Sequence, residues 1–371
     1  MHRGYTELHR EVFKKPPCNS VQPLCISVSQ KNRMNAIILE QPGAFSRITK
    51  DHPGPPAAGQ VLLKIRRLGV CGTDLHAYNG KQPFFTYPRI LGHEIAAEVI
   101  ALGEGVTHLN VGDRCAVMPY RNTSTDQAVR RGKTHCGDHV RVLGVHEDGA
   151  MQEYMLYLAD HVYPANALSL DQIAMIEPLA IGSHAIERGQ VGSDDIVLVV
   201  GAGPIGIAAI LMGQFKAARI IALDMNQDRL DFVAHKCPGV DTMKVSDGVI
   251  GELQTLLNGD LPTVVIDATG NKASMEKCVE YVAPGGTVVY VGLFIGDLQF
   301  HDPYIQRKEL TLKTSRNAYP DDFTKIIRLM ESGLLNIDGY VTHRLAFDTL
   351  TETFTSLYDP QQRVIKAVIE F

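Results

Sequence analysis

The hydrophobic pattern changes rhythm midway along the chain. In the first third, β-branched or apolar runs fall at 34–40, 60–68, 94–102 and 112–118, each bounded by Gly, Pro or Asp. Short runs at that spacing predict a small β-rich, barrel-like unit. From Ile196 the pattern becomes strand, helix, strand. Ile196 to Val200 is continuously apolar, 204–217 reads as a helix, and Arg219 to Leu223, Val264 to Ile266 and Thr287 to Val291 read as strands. Wholly apolar strands alternating with helices predict a parallel sheet covered on both faces, a doubly wound α/β unit. Val288 to Phe294 is expected to be the last strand of that sheet.

The turn after the first of these strands reads Val199-Val-Gly-Ala-Gly-Pro-Ile-Gly206. A G-x-G-x-x-G is informative where it leaves a strand and opens a helix, as here. Gly201 permits the tight turn, Gly203 lets the backbone approach a pyrophosphate, and Gly206 lets the helix pack close to the strand. The helix end, with Pro204 and Ile205 in its first turn, offers free N–H groups and partial positive charge to that anion. Asp224 ends the next strand, 18 residues after Gly206. A carboxylate there accepts ribose hydroxyls and repels a 2′-phosphate, so NAD is expected over NADP. Arg229 is expected along the adenine side.

Composition narrows the class. At roughly 150 residues per domain, 371 residues make two or three domains. A hydrophobic fraction of 45% with 21% charged residues is that of an ordinary globular chain. The net charge of −5 argues against broad nucleic-acid binding. No uninterrupted run of 18 hydrophobic side chains is present, so no membrane span is expected. Seven scattered cysteines do not make a disulfide framework and suit a reducing, cytoplasmic setting. Residues 1–33 hold six Lys/Arg against two Glu, while the remainder is net −9. With Pro16, Pro17 and Pro23 and no apolar core, this segment is expected to be a flexible extension or an upstream start.

Three fragments carry metal chemistry: Gly69-Val-Cys-Gly-Thr-Asp-Leu-His76, Gly92-His-Glu94 and Ile176-Glu-Pro-Leu179. A thiolate (Cys71), an imidazole (His93) and carboxylates (Glu94, Glu177) suit zinc in an open, reactive site. Singly, each is compatible with a core position. Their order, upstream of a dinucleotide turn, favours a site.

With these motifs, with Val-Gly-Asp-Arg at 111–114 and Glu-Pro-Leu-Ala at 177–180, the chain from Met34 to Phe371 resembles the zinc-dependent medium-chain dehydrogenases. The resemblance implies a GroES-like catalytic domain at 34–178 and 316–371, interrupted by a Rossmann NAD-binding domain at 179–315. It implies Cys71, His93 and Glu94 as zinc ligands. Glu177 would be a third or fourth ligand, or would hold the metal-bound water. Thr73 and His76 match the family's proton relay, which runs by way of the cofactor ribose. Gly292, Leu293 and Asn317 fall where relatives meet the nicotinamide. A homodimer or homotetramer is implied as well.

One departure stands out. Many relatives bind a second, structural zinc through four cysteines, and the matching positions here are Thr123, Asp126, Val129 and Gly137. Only Cys136 lies nearby, so one zinc per chain is expected, with the lobe held by packing or partly disordered. Ala97 and Ala150 stand where relatives often have glycine.

The stretches 82–88, 292–300 and 315–323 resemble the bacterial L-galactonate and L-gulonate 5-dehydrogenases. The implied reaction moves a hydride between NAD and a secondary hydroxyl of a sugar acid, a hexonate such as L-galactonate or L-gulonate, with a sorbitol-like polyol as the alternative substrate. Arg316 is the first candidate to meet substrate or metal-bound water, and Lys308, Arg121 and Arg344 are further candidate cations. Phe84, Phe85 and Tyr87 fit a pocket wall or a core. A zinc-free enone reductase and a non-catalytic NAD-binding protein share the fold, and the intact metal and relay residues oppose both.

Overall fold

The computed structural model describes residues 32–371, so all but the end of the expected 1–33 extension lies outside the described residues. The chain opens with a hairpin, β1 (Arg33–Gln41) and β2 (Ala44–Asp51), turned at Gly43 with φ 78°. The long β3 (Gln60–Val70) leads into helix α1 (Gly72–Tyr78) and the short β4 (Arg89–Ile90), which pairs with β1. β5 (Glu94–Leu102) and β6 (Arg114–Val117) come next. A small lobe holds β7 (Tyr120–Asn122), α2 (Gln127–Arg130) and β8 (Val140–Val142). β9 (Tyr154–Leu158), β10 (Val162–Pro164) and α3 (Leu170–Ala174) complete this part.

Helix α4 (Ile176–Gly189) carries the chain across to the second unit. Pro178 lies in its first turn, where a missing N–H is tolerated. The second unit has β11 (Ile196–Val200), α5 (Pro204–Gly213), β12 (Arg219–Asp224), α6 (Gln227–Lys236) and β13 (Asp241–Lys244). It continues through α7 (Val249–Leu256), β14 (Val264–Asp267), α8 (Lys272–Tyr281), β15 (Thr287–Tyr290), α9 (Asp302–Lys308) and β16 (Thr311–Thr314). Its six strands are parallel, in the order β13-β12-β11-β14-β15-β16. After α10 (Pro320–Glu331), β17 (His343–Ala346) and β18 (Ala367–Glu370) return to the first unit. There β18 pairs antiparallel with β3, bringing Ala367 opposite Val70. The first unit's main sheet runs β10-β6-β5-β3-β18-β17, with β9 also on β3. The fold is therefore α/β: a GroES-like β-rich unit joined to a Rossmann-type parallel sheet.

Close contacts fix the junction. A Cβ at Gly182 on α4 would lie 2.5 Å from the Ala208 carbonyl carbon, so α4 and α5 pack backbone to backbone. Two sequence expectations need correction. The helix expected over 204–217 ends at Gly213. The strand expected over Val288 to Phe294 ends at Tyr290, and β16 is the edge strand. At Gly292 the chain crosses the Gly270 backbone, where a Cβ would meet Gly270 N at 2.1 Å, and the apolar residues beyond belong to a loop.

The lobe is organised by Asp126. Its carboxylate caps α2 through Val129 N–H at 3.0 Å and accepts from Ser124 Oγ and Asp138 N–H, both at 2.7 Å. These hydrogen bonds hold its pKa down, at about 2. Ala97 and Ala150 are both fully buried.

Candidate active site

The site assembles where β3, β5, α4 and the Gly-rich turn converge. β3 ends by delivering Cys71 to the start of α1. There the Cys71 N–H donates to Asp74 Oδ2 at 2.9 Å, the third residue of the helix closing on its cap. His93 and Glu94 enter at the start of β5, opposite the end of β3. Gly69 is required at that crossing, because a Cβ there would lie 1.9 Å from Glu94 Oε2. Cys71, His93 and Glu94 each offer one ligand atom, and the three atoms lie within 4.8 Å of one another. Among the described residues this is the one group of three or more His, Cys, Asp or Glu so placed.

The electrostatics of the group favour a cation. Asp74, Glu94 and Glu177 are buried there beside the Cys71 sulfur. Lys366 is their buried counter-charge, with Nζ 2.5 Å from the Glu94 carboxylate and 2.9 Å from Val70 O. Burial opposes a charged His93, but Cys71, Asp74 and Glu177 outweigh it and hold its pKa well above the usual value. Burial, then the Glu94 charge, pushes Glu177 up to about 7 against the pull of His93. His93 Nδ1 and Asp74 Oδ1 are buried without a hydrogen-bond partner. Orphaned buried polar atoms are uncommon, and in a cluster of this composition they are the pattern a divalent ion completes. Glu177 stands outside the three-donor group, and its Oε1 accepts the Tyr120 hydroxyl.

A cleft of about 780 Å³ opens on these groups. Cys71, His93 and Glu177 line it together with Thr73, Ile205, Gly292, Leu293, Arg316 and Asn317. An adjoining cavity of about 580 Å³ is lined by Thr73, His76, Gly203, Pro204, Ile205, Arg229 and Leu293. The predicted metal and relay residues, with Gly203, Pro204, Ile205, Arg229, Gly292, Leu293 and Asn317, therefore surround two spaces that share lining residues, whereas Gly201, Gly206 and Asp224 line neither. Gly201 takes φ 97°, and a Cβ on Gly206 would lie 1.7 Å from Gly201 O, as a tight nucleotide turn requires. Asp224 accepts the Ala202 N–H at 2.6 Å, and Arg229 Nη1 lies 3.8 Å from its carboxylate. Asn317 takes φ 55° and donates its amide to His135 O at 3.1 Å.

Three candidate cations do not reach the cleft. Lys308 is buried under α8, donating to Val282 O at 2.6 Å and Glu280 O at 3.2 Å. Arg121 pairs with Glu147 at 2.5 Å, and Arg344 with Asp171 and Glu370. Each is held by a nearby acceptor. Phe84 walls the cleft and is 58% exposed, whereas Phe85 and Tyr87 pack against the first unit's core.

Sequence reasoning passed over three residues of the site. Asp74 was visible as the fourth residue of the Cys-Gly-Thr-Asp run. Tyr120 and Lys366 carried no local signal, since both lie in ordinary strand-like sequence.

Comparison with known proteins agrees with this geometry. The alcohol dehydrogenase GroES-like domain profile matches residues 57–167, and the zinc-binding dehydrogenase profile matches 204–332. L-galactonate-5-dehydrogenase of Escherichia coli is 40% identical over 91% of this chain and 99% of its own. Sorbitol dehydrogenase of Halalkalibacterium halodurans is 30% identical over 84% and 92%. Among solved structures, the rspB alcohol dehydrogenase of Escherichia coli, complexed with NADH, superposes with a TM-score of 0.84 at 30% identity. That match covers 92% of this chain and all of that one. Two matched profiles spanning most of the chain, relatives aligned end to end, and a cleft that joins a Cys-His-Glu donor group to a dinucleotide turn agree: this chain belongs to the zinc-binding alcohol dehydrogenase family.

Proposed function

We propose that the protein oxidises a secondary hydroxyl of a sugar acid, a hexonate such as L-galactonate or L-gulonate, and passes the hydride to NAD. The observation that carries this reading is Arg316. It lines the same cleft as Cys71, His93 and Glu177 and makes no ion pair among the described residues. A free guanidinium facing a reaction cleft suits a carboxylate.

Cys71, His93 and Glu94 would hold zinc, which as a Lewis acid lowers the pKa of a bound hydroxyl. The Gly201–Gly206 turn and Asp224 would hold NAD, the hydride acceptor. The chain's own part is to position the substrate and carry away its proton. Thr73 lines both the reaction cleft and the adjoining cavity, and His76, one helical turn later, lines the adjoining cavity alone. Burial, then Lys81, lowers the His76 pKa, so the ring is neutral and able to accept a proton. The pair would pass the proton from the reacting hydroxyl toward solvent. Glu177, held by Tyr120, presents a second carboxylate to the cleft.

A polyol is the second reading, supported by the likeness to sorbitol dehydrogenase. The test is NAD reduction across a panel of hexonates and polyols, with and without a chelator. Hexonates should be oxidised with the higher kcat/KM, and chelation should abolish turnover. Arg316→Ala should cost roughly 10- to 100-fold on hexonates, the worth of a charged hydrogen bond, and far less on sorbitol. Equal losses on both substrates would remove the sugar-acid reading.

A further inference from the structure

A third cavity, of about 620 Å³, lies beyond the reaction cleft. Arg316 and His146 line both spaces, whereas Arg141 lines the outer one alone. None of Cys71, His93, Glu94 or Glu177 reaches it. Arg141 and Arg316 are exposed and enter no ion pair among the described residues. One carboxylate, Asp138, lines this cavity, leaving two guanidiniums against one acid, with the His139 imidazole beside them.

His146 guards the join. Its Nδ1 accepts the Val142 N–H at 3.1 Å, which places the ring proton on Nε2. Burial, then Arg316 and Arg141, depress its pKa, so the ring stays neutral and Nε2–H is a donor. Phe84 stacks near it, ring centroids 6.4 Å apart, and forms the apolar side of the passage.

We propose that the substrate carboxylate docks in the outer cavity on Arg141 and Arg316, passing His146 Nε2–H, so that the hydroxyl oxidised in the inner cleft lies several carbons from the carboxyl group. The inference rests on the sugar-acid reading and adds to it an anchor for the carboxylate; the remote hydroxyl agrees with the carbon for which L-galactonate-5-dehydrogenase is named. In an α-hydroxy acid the hydroxyl and carboxylate oxygens are neighbours and would share one space. Here Arg141 lines the outer space alone and the metal donors do not reach it, so a carboxylate held on Arg141 needs a longer chain to bring its hydroxyl to the inner cleft. The reaction converts CHOH to C=O at that remote carbon, two electrons and one hydrogen leaving as hydride to NAD and the other hydrogen as a proton.

The experiment compares a hexonate with its uncharged hexonamide, in the zinc-loaded enzyme and in Arg141→Gln and Arg141→Lys, with NMR identification of the ketone. The wild-type enzyme should prefer the acid by roughly 10- to 100-fold in kcat/KM. Arg141→Gln should lose most of that preference through KM for the acid, Arg141→Lys should regain part of it, and both should melt with the parent protein. The ketone should form away from C2, and lactate and glycerate should not be oxidised. A preference that survives intact in Arg141→Gln would overturn the anchor while leaving the sugar-acid function standing. A ketone at C2 would overturn the regiochemistry. No preference in the wild type would remove the sugar-acid reading itself, and the anchor with it.

Discussion

Lys366 is 1% exposed, and its ammonium group lies against Glu94 and Val70 O at the back of the metal-donor group. Burial alone would strip its charge, but Glu94 and then Cys71 raise its pKa. Removing one member of such a pair leaves the other charge buried alone, at about 3–5 kcal/mol. Lys366→Met should therefore lower the stability of the metal-free protein by that order in a urea titration. Added zinc should recover part of the loss by taking the freed Glu94 carboxylate. An unchanged unfolding midpoint without metal would show that the pair does not hold the site. Thr73 poses a separate question, because it lines both the reaction cleft and the adjoining cavity. Thr73→Val keeps the shape and removes the proton carrier. It should cut kcat by roughly 100-fold, within the range of general acid–base contributions, while zinc content stays at the wild-type level. Wild-type turnover in that variant would reject the relay.

The strand–turn–helix element formed by β11, the Gly-rich turn and α5 separates folding from binding within six residues. A Cβ on Gly206 would meet Gly201 O at 1.7 Å, whereas one on Gly203 would find its nearest neighbour, Arg229 Nη1, at 3.8 Å. Gly203 has φ −79°, a conformation open to any residue. Gly206→Ala should lower the melting temperature, at about 1–3 kcal/mol for overpacking. Gly203→Ala should melt normally and raise KM for NAD at least 10-fold, because its methyl group intrudes only where the pyrophosphate comes to lie. Equal melting losses would show that the two glycines are not divided in this way. This element was legible in the sequence because its apolar run, glycine spacing and terminal acid are all local. β16 was not legible: Thr-Leu-Lys-Thr lies at an exposed edge and shows no buried alternation. The loop after Tyr290 misled for the opposite reason, since Leu293, Phe294 and Ile295 prolong the apolar run after the backbone has left the sheet. Lys308, Arg121 and Arg344 misled because a cation's sequence neighbours do not say which distant carboxylate or carbonyl it meets.

At the scale of the whole molecule, three separate parts of the chain meet in a buried aromatic cluster away from the metal donors. His135 comes from the lobe, His184 from α4, and Tyr319 and Asp322 from the start of α10. The two imidazole centroids are 4.9 Å apart, and Tyr319 lies 4.2 Å from one and 5.1 Å from the other. His135 Nδ1 and both nitrogens of His184 are buried without a hydrogen-bond partner, and His184 Nδ1 is 3.7 Å from Asp322. Burial holds both rings to about 4, aided at His135 by His184, Arg188, Lys133 and Arg316 and at His184 by Arg188. Glu187 works the other way at His184. The ordinary value is 6.5, so between pH 6.5 and about 4 the unfolded chain binds protons that the folded chain refuses. Stability from this cluster is thus complete above pH 6.5 and is lost progressively as pH falls toward 4, with a limiting slope of at most about 2.7 kcal/mol per pH unit for two protons. His184→Leu removes one of those protons whatever it does to absolute stability. Thermal melts from pH 7.5 to 4.5 should therefore show an acid slope shallower than the parent's in the variant, by up to about 1.4 kcal/mol per pH unit. Parallel pH curves for the two proteins would mean that acid sensitivity arises elsewhere, and that the junction between lobe, α4 and α10 does not depend on neutral histidines.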